Sequence, residues 1–203
     1  LKGKLLFVIT ALVLLGLYSS GRPIEAFSPT NVERLIYLKD GTGGDFSGAD
    51  LTGIAIPRAN LVNANLREAV LDQADLRRAD LRDADLSGAD LIGAILTDAT
   101  LHRAILENSN LTNANLEDAI LTKVNLAGAN LTGTNFFKAN FRGASLKGVV
   151  RMQGANFRIA QLQGADLSDT DFAGVDLSYA DLSGANLEGA KLDGANLTGV
   201  KGL

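Results

Sequence analysis

Residues 69–91 read AVL DQADL RRADL RDADL SGADL, and this stretch decides the architecture. Leu71, Leu76, Leu81, Leu86 and Leu91 return at every fifth position, with Ala two places before each and Asp between the pair in four of the five units. A period of five fits neither the 3.6-residue turn of an α-helix nor the two-residue alternation of a strand. It marks a solenoid built from many short, near-identical bends.

Outward from there, the register runs from Phe46 to Leu146 in 21 units, then resumes at Met152 for ten more, ending at Leu197. The step between Leu146 and Met152 is six, which places one inserted residue near Val149, Val150 and Arg151. Of the 31 centres, 24 are Leu and five are Phe, with Ile56 and Met152 completing the set. Ala fills 23 of the positions two before a centre, and Gly44, Ile54 and Val150 are among the exceptions. The unit is close to Ala-(Asp/Asn)-Leu-x-Gly.

A small and a large apolar residue two apart point the same way on an extended segment. Gly and Asn then tolerate the backbone angles needed to turn before the next pair. Four units close a square coil of about 20 residues, and successive coils stack at roughly 4.8 Å. The 31 units make 7.75 coils, a rod of about 37 Å. Its interior is filled by the alternating large and small side chains, leaving no ligand cavity. Phe136 and Phe157 lie one coil plus the inserted residue apart, so they stack in one column. The insertion is expected as a local bulge in a coil corner, either a silent, tolerated one or one that aims a side chain such as Arg151 outward for a partner.

Two segments precede the repeats. In residues 1–26, Lys2 and Lys4 stand before an apolar run from Leu5 to Tyr18, followed by Ser19, Ser20 and Gly21 and a small residue at Ala26. This is the layout of a secretory signal peptide or of a retained membrane-anchor helix. Either places the basic end on the cytoplasmic side and the repeats across the membrane. Residues 27–43 read as a cap helix and linker. Pro29 with Thr30 or Asn31 starts the helix, Val32, Leu35 and Ile36 form its apolar stripe, and Gly41, Gly43 and Gly44 end it. Residues 44–203 form the repeat domain.

The 203-residue chain carries a net charge of −4 and no Cys, so disulfides, thiolate nucleophiles and Cys-metal sites are absent. From Gly41 onward there are 14 basic and 20 acidic residues, which argues against a nucleic-acid partner. His102 is the single histidine and follows the centre Leu101, on the surface. Asp75, Asp80, Asp85 and Asp90 sit on successive faces and do not converge as a hydrolytic pair requires. No Gly-rich loop joins a strand to a helix, so no phosphate-binding cofactor site is expected. Neither catalytic residues, metal, cofactor nor small-molecule substrate is read from the chain. Arg67, Arg77, Arg78, Arg82 and Arg103 form a mixed-charge band with their acidic neighbours. Exposed apolar candidates are Ile92, Phe137 and Tyr179 after centres, and Val70, Ile95, Ile105 and Ile120 before them. The partner-binding candidates are Phe137, Arg77, Arg78, Arg82 and Arg151.

With its A(D/N)LxX units over about residues 44–199, the chain resembles the pentapeptide-repeat family. That resemblance implies an all-β fold, the right-handed quadrilateral β-helix, with four flat faces. An export-like start joined to a cap helix resembles the members of the cyanobacterial periplasm and of the thylakoid lumen. It implies a non-enzymatic structural or protein-interaction module, an accessory or assembly subunit of a photosynthetic or other membrane complex. The alternative is the topoisomerase-binding branch, whose acidic rods mimic DNA. Here the charge is milder, Arg is interspersed, the start is export-like, and no dimerising helix follows the repeats up to Leu203.

Overall fold

The computed structural model describes residues 29–203. The leader expectation for residues 1–26 lies outside the described residues. Helix α1 spans Pro29–Leu38. Its stripe behaves as the spacing requires: Val32 and Leu35 are buried in the same apolar core as the coils, and Ile36 packs against it. The terminator differs from expectation. Lys39 takes the left-handed conformation at φ 54°, and the Asp40 amide then donates to the Arg34 carbonyl at 3.3 Å. A left-handed residue just beyond the last turn stops a helix whether or not it is glycine.

From Asp40 onward the backbone winds in a four-sided coil. Parallel bridges join residues 20 apart, as in Asp75↔Ile95↔Asn115↔Asn135, and each side contributes one bridged residue rather than a long strand. Each corner is a turn closed by a hydrogen bond from the small residue to the preceding centre, for example from the Ala89 amide to the Leu86 carbonyl at 3.0 Å. The third turn residue has φ near +60° in all 31 repeats, while the second is never left-handed, which is the type II pattern.

The unit Asp85–Ala89 explains the consensus. The amides of Asp85, Leu86 and Gly88 bond to Ala64, Ile105 and Glu107 of the neighbouring coils, and that of Ala89 closes the turn. Only the Ser87 amide lacks a backbone acceptor, and the Asp85 carboxylate accepts from it at 2.9 Å. Asp or Asn therefore precedes the centre because it satisfies the one donor the ladder leaves out. Where Ala55 stands in that place, the residue two further on is Pro57, which has no N–H to satisfy.

The interior is a solid column. Centres from Phe46 to Leu182 are buried, as are the alanines beside them. Each buried Leu contributes about 1.5–3 kcal/mol relative to exposure. Ser109, Thr134 and Thr170 replace Ala without penalty, because their hydroxyls donate to the carbonyls of Leu106, Leu111 and Leu146 at 2.7, 2.8 and 3.0 Å. Phe136 and Phe157 stack as expected, with ring centroids 4.8 Å apart.

The insertion corrects the sequence reading in detail. Val149 is buried and takes the small-residue place, and the Asp171 amide bonds to its carbonyl at 2.9 Å. Val150, expected to point inward, is 55% exposed and is the extra residue. The bulge lies after the corner turn rather than within it, because Leu146–Val149 still closes a normal turn at 3.1 Å. The ladder is interrupted there: Asn130 pairs with Arg151, and Asp171 pairs with Lys191, but no bridge joins Arg151 to Asp171 among the described residues.

Candidate functional site

Outward side chains fall into vertical columns because the coil repeats every 20 residues. One edge of the rod is the corner column Pro57–Arg58, Arg77–Arg78, Thr97–Asp98, Glu117–Asp118, Phe137–Lys138, Arg158–Ile159 and Ser178–Tyr179. Backbone bonds of 2.8–3.0 Å join each step, as from Asp118 to Phe137 and from Lys138 to Arg158. The structure thus brings three of the sequence candidates, Arg77, Arg78 and Phe137, onto a single edge. Arg82 stands on the next edge, and Arg151 lies beside the bulge, away from both.

The two ends of that edge differ in chemistry. Arg77 grips Asp75 with two bonds of 2.8 and 2.7 Å, and Arg78 reaches Asp98 at 3.2 Å. Arg82 makes the same two-pronged contact with Asp80. These guanidiniums hold the Asp75 and Asp80 carboxyls below the usual range. A shallow groove of about 290 Å³ opens between Pro57, Arg58, Arg77, Arg78, Thr97 and Asp98. Further along, Phe137 is half-buried, with the Lys138 ammonium 4.9 Å and the Arg158 guanidinium 5.8 Å from its ring centre. Beyond it Ile159 is 38% and Tyr179 56% exposed. The Tyr179 ring lies over Gly199, where an added Cβ would meet Tyr179 Cδ1 at 2.6 Å.

The charges divide into three blocks along the axis. Residues 41–118 hold thirteen acids against six cations, and 166–203 hold seven against two. Between them, residues 119–165 contain no acid and six cations: Lys123, Lys138, Arg142, Lys147, Arg151 and Arg158. Every ion pair among the described residues lies on the helix side of this belt, ending at Arg103–Asp83. The belt's six cations make none.

The profile for pentapeptide repeats matches in eight copies, over residues 45–83, 59–98, 84–122, 114–150, 151–189 and 160–199. The chain belongs to the pentapeptide repeat family. Its members fold as right-handed quadrilateral β-helices, the architecture the sequence implied. Among solved structures, HetL from the cyanobacterium Nostoc, involved in heterocyst differentiation regulation, is 31% identical over 74% of this chain and 86% of its own, with a TM-score of 0.39. QnrB1, a plasmid-mediated fluoroquinolone resistance protein, is 19% identical over 75% and 90%, with a TM-score of 0.42. A pentapeptide repeat protein from the thylakoid lumen of Arabidopsis thaliana is 29% identical over 57% and 63%, with a TM-score of 0.23. A comparison with curated proteins gives no match.

Other residues of this pentapeptide repeat protein fall as follows. Ile95, Ile105 and Ile120 are exposed, while Ile92 and Val70 are half-buried. Reading the sequence for exposed apolar groups missed Ile159 and Val150. Ile159 sits second after its centre, a place that sequence pattern assigns to Gly or a polar residue. His102 is half-buried, its Nδ1 2.6 Å from the Thr122 hydroxyl. Among the described residues no three metal-ligating side chains converge, and no helix is long and apolar enough to cross a membrane. Asp72 and Asp90 form a carboxylate pair although they occupy different places in their units. Burial and the neighbouring Asp72 carboxylate push Asp90 above the usual range, and one oxygen of each is buried without a partner.

Proposed function

We propose that the protein is a rigid, non-enzymatic interaction module, held on or exported to the far side of a membrane, where it serves a membrane complex as an accessory or assembly subunit. The observation that carries the reading is the solid interior: from Phe46 to Leu182 the axis is filled by buried centres, so specificity is confined to the outward columns. Residues 1–26 act as signal peptide or anchor, 27–43 as cap and linker, and 44–203 as the rod. The thylakoid lumen or the periplasm is the compartment that such a leader and such a repeat domain suit best. Phe137, Arg77, Arg78, Arg82 and Arg151 are the partner-binding residues of this reading. Phe137 and Arg151 are the more available, since Arg77, Arg78 and Arg82 are held by Asp75, Asp98 and Asp80. The test is affinity capture from native membranes with the full chain and with a chain lacking residues 1–26. A membrane complex recovered only with the full chain is the expected result, and recovery of neither a complex nor any specific protein sinks the proposal.

A second reading, a DNA-mimicking topoisomerase-binding rod, draws on the acidic block 41–118, with its net charge of −7. The uninterrupted negative surface of duplex DNA is broken here by the cationic belt. A gyrase supercoiling assay decides: inhibition at stoichiometric rod favours mimicry, and unchanged supercoiling rejects it.

A further inference from the structure

The cationic belt concentrates on one side of the rod. After Phe137 and Lys138 the chain crosses a single face through Asn140 and reaches Arg142 on the next edge; in the following coil it leaves Arg158 and Ile159 and crosses through Gln161. Lys123 lies directly before Arg142 on that second edge, its amide bonded to the Arg142 carbonyl at 3.0 Å. The floor between the edges is the column Ile120↔Asn140↔Gln161, and Ile120 is 42% exposed. Four exposed cations, Lys123, Lys138, Arg142 and Arg158, thus flank a floor that is polar at its centre and apolar at Ile120, with Phe137 and Ile159 on its rim.

The borders of this face are as informative as its centre. Toward the helix the rim meets Glu117 and Asp118, and toward the other end the floor meets Asp181, with Asp176 in the column beside it. The acid-free stretch of 47 residues is about 11 Å tall at roughly 4.8 Å per coil. That height matches the ~10–12 Å diameter of a single helix. A long polyanion running along the rod, such as duplex DNA, would meet the acidic blocks on both sides within about one Debye length. A short segment laid across the belt avoids both.

Resting on the interaction-module reading, we propose that the face framed by Lys123, Lys138, Arg142 and Arg158 docks a short acidic segment of a partner protein, laid across the rod, with a large apolar side chain set beside Phe137 and Ile159. Charge complementarity selects the segment and orients it, and the apolar rim slows its release.

The test uses the full chain and three labelled probes: a Glu-rich helical peptide with a central Phe, its Gln counterpart, and a duplex DNA oligonucleotide. The Glu/Phe peptide is expected to bind and to weaken as salt is raised. K138E with R142E should loosen it about tenfold, while R58E, on the same edge in the acidic block, should leave it unchanged. Should the double reversal unfold the rod, K138Q with R142Q is read in its place. Equal binding of the Gln peptide, equal binding of DNA, or equal loss in R58E each overturns the proposal. So does a salt-sensitive dimer in sedimentation that the double reversal abolishes, because the occupant is then a second copy. Membrane capture that survives K138E/R142E removes this face and leaves the interaction-module reading intact. Peptide binding without membrane capture does the reverse.

Discussion

Val149 and Val150 are adjacent and chemically identical, yet the first is buried at 0% exposure and the second is 55% exposed. The fold has sorted them by register: Val149 fills the small-residue place three after Leu146, and Val150 is expelled so that Met152 returns to the axis.

Deleting Val150 restores the unbroken five-residue register and brings Arg151 and Asp171 into bridging range. The lost bridge is worth about 0.5–1.5 kcal/mol per hydrogen bond regained. Thermal melting should therefore rise by a few degrees. A lower melting temperature would mean that the bulge relieves strain among the packed rings of Phe136, Phe141, Phe157 and Phe172.

Gly44 stands where the consensus places Ala, but Gly44→Ala is expected to destabilise. An added Cβ would meet Phe46 Cε2 at 2.6 Å and the Gly41 carbonyl oxygen at 3.0 Å. The Phe46 ring leans over Gly44 here, whereas Ala139 and Ala155 are accommodated beside the later centres Phe141 and Phe157. Crowding of this kind costs about 1–3 kcal/mol, readable by chemical denaturation against wild type.

Ile159 is a β-branched residue held at φ 62°. Left-handed backbone costs a non-glycine residue about 1–2 kcal/mol, and β-branching makes it worse. Ile159→Gly should raise stability by about 1 kcal/mol, even after the added freedom of the unfolded chain. It should also weaken any partner that uses the rim beside Phe137, separating a structural cost from a binding gain in one variant.

Asp90 is held above the usual carboxylate range by burial and by Asp72. A raised carboxyl favours folding while protonated, and that contribution is lost as pH rises through the folded-state value. At neutral pH the charged form therefore works against the fold. Asp90→Asn removes the charge while keeping the side chain's size and one acceptor oxygen, and it should raise the melting temperature at pH 7 but not at pH 3. Equal effects at both values would remove Asp72 as the cause. Asp75 and Asp80 behave oppositely: their lowered values stabilise the fold at neutral pH and the gain disappears as pH falls below the ordinary range.

Much of this was legible in the chain because the signal is one-dimensional. Recurrence of Leu every five residues sets coil closure, and Leu146 to Met152 locates the insertion to within three residues. Column membership was legible too, since the 21-residue spacing of Phe136 and Phe157 predicts their stacking. Less legible were features that depend on which neighbours share an edge. Asp72 and Asp90 occupy different places in their units, so a comparison of like with like passes over them. The six-cation belt was equally open to counting, yet only the stacking of coils turns spaced cations such as Lys138 and Arg158, twenty residues apart, into neighbours.

By itself, then, the order of residues determined the coil, its four sides, its packed axis and the place of its single fault, because each rests on local spacing repeated 31 times. Only the folded molecule decided which valine is expelled, that Lys39 rather than glycine stops the helix, and that Phe137, Ile159 and four unpaired cations frame one face. Those outcomes come from competition between coils for the same space and the same charges, which no single five-residue unit contains.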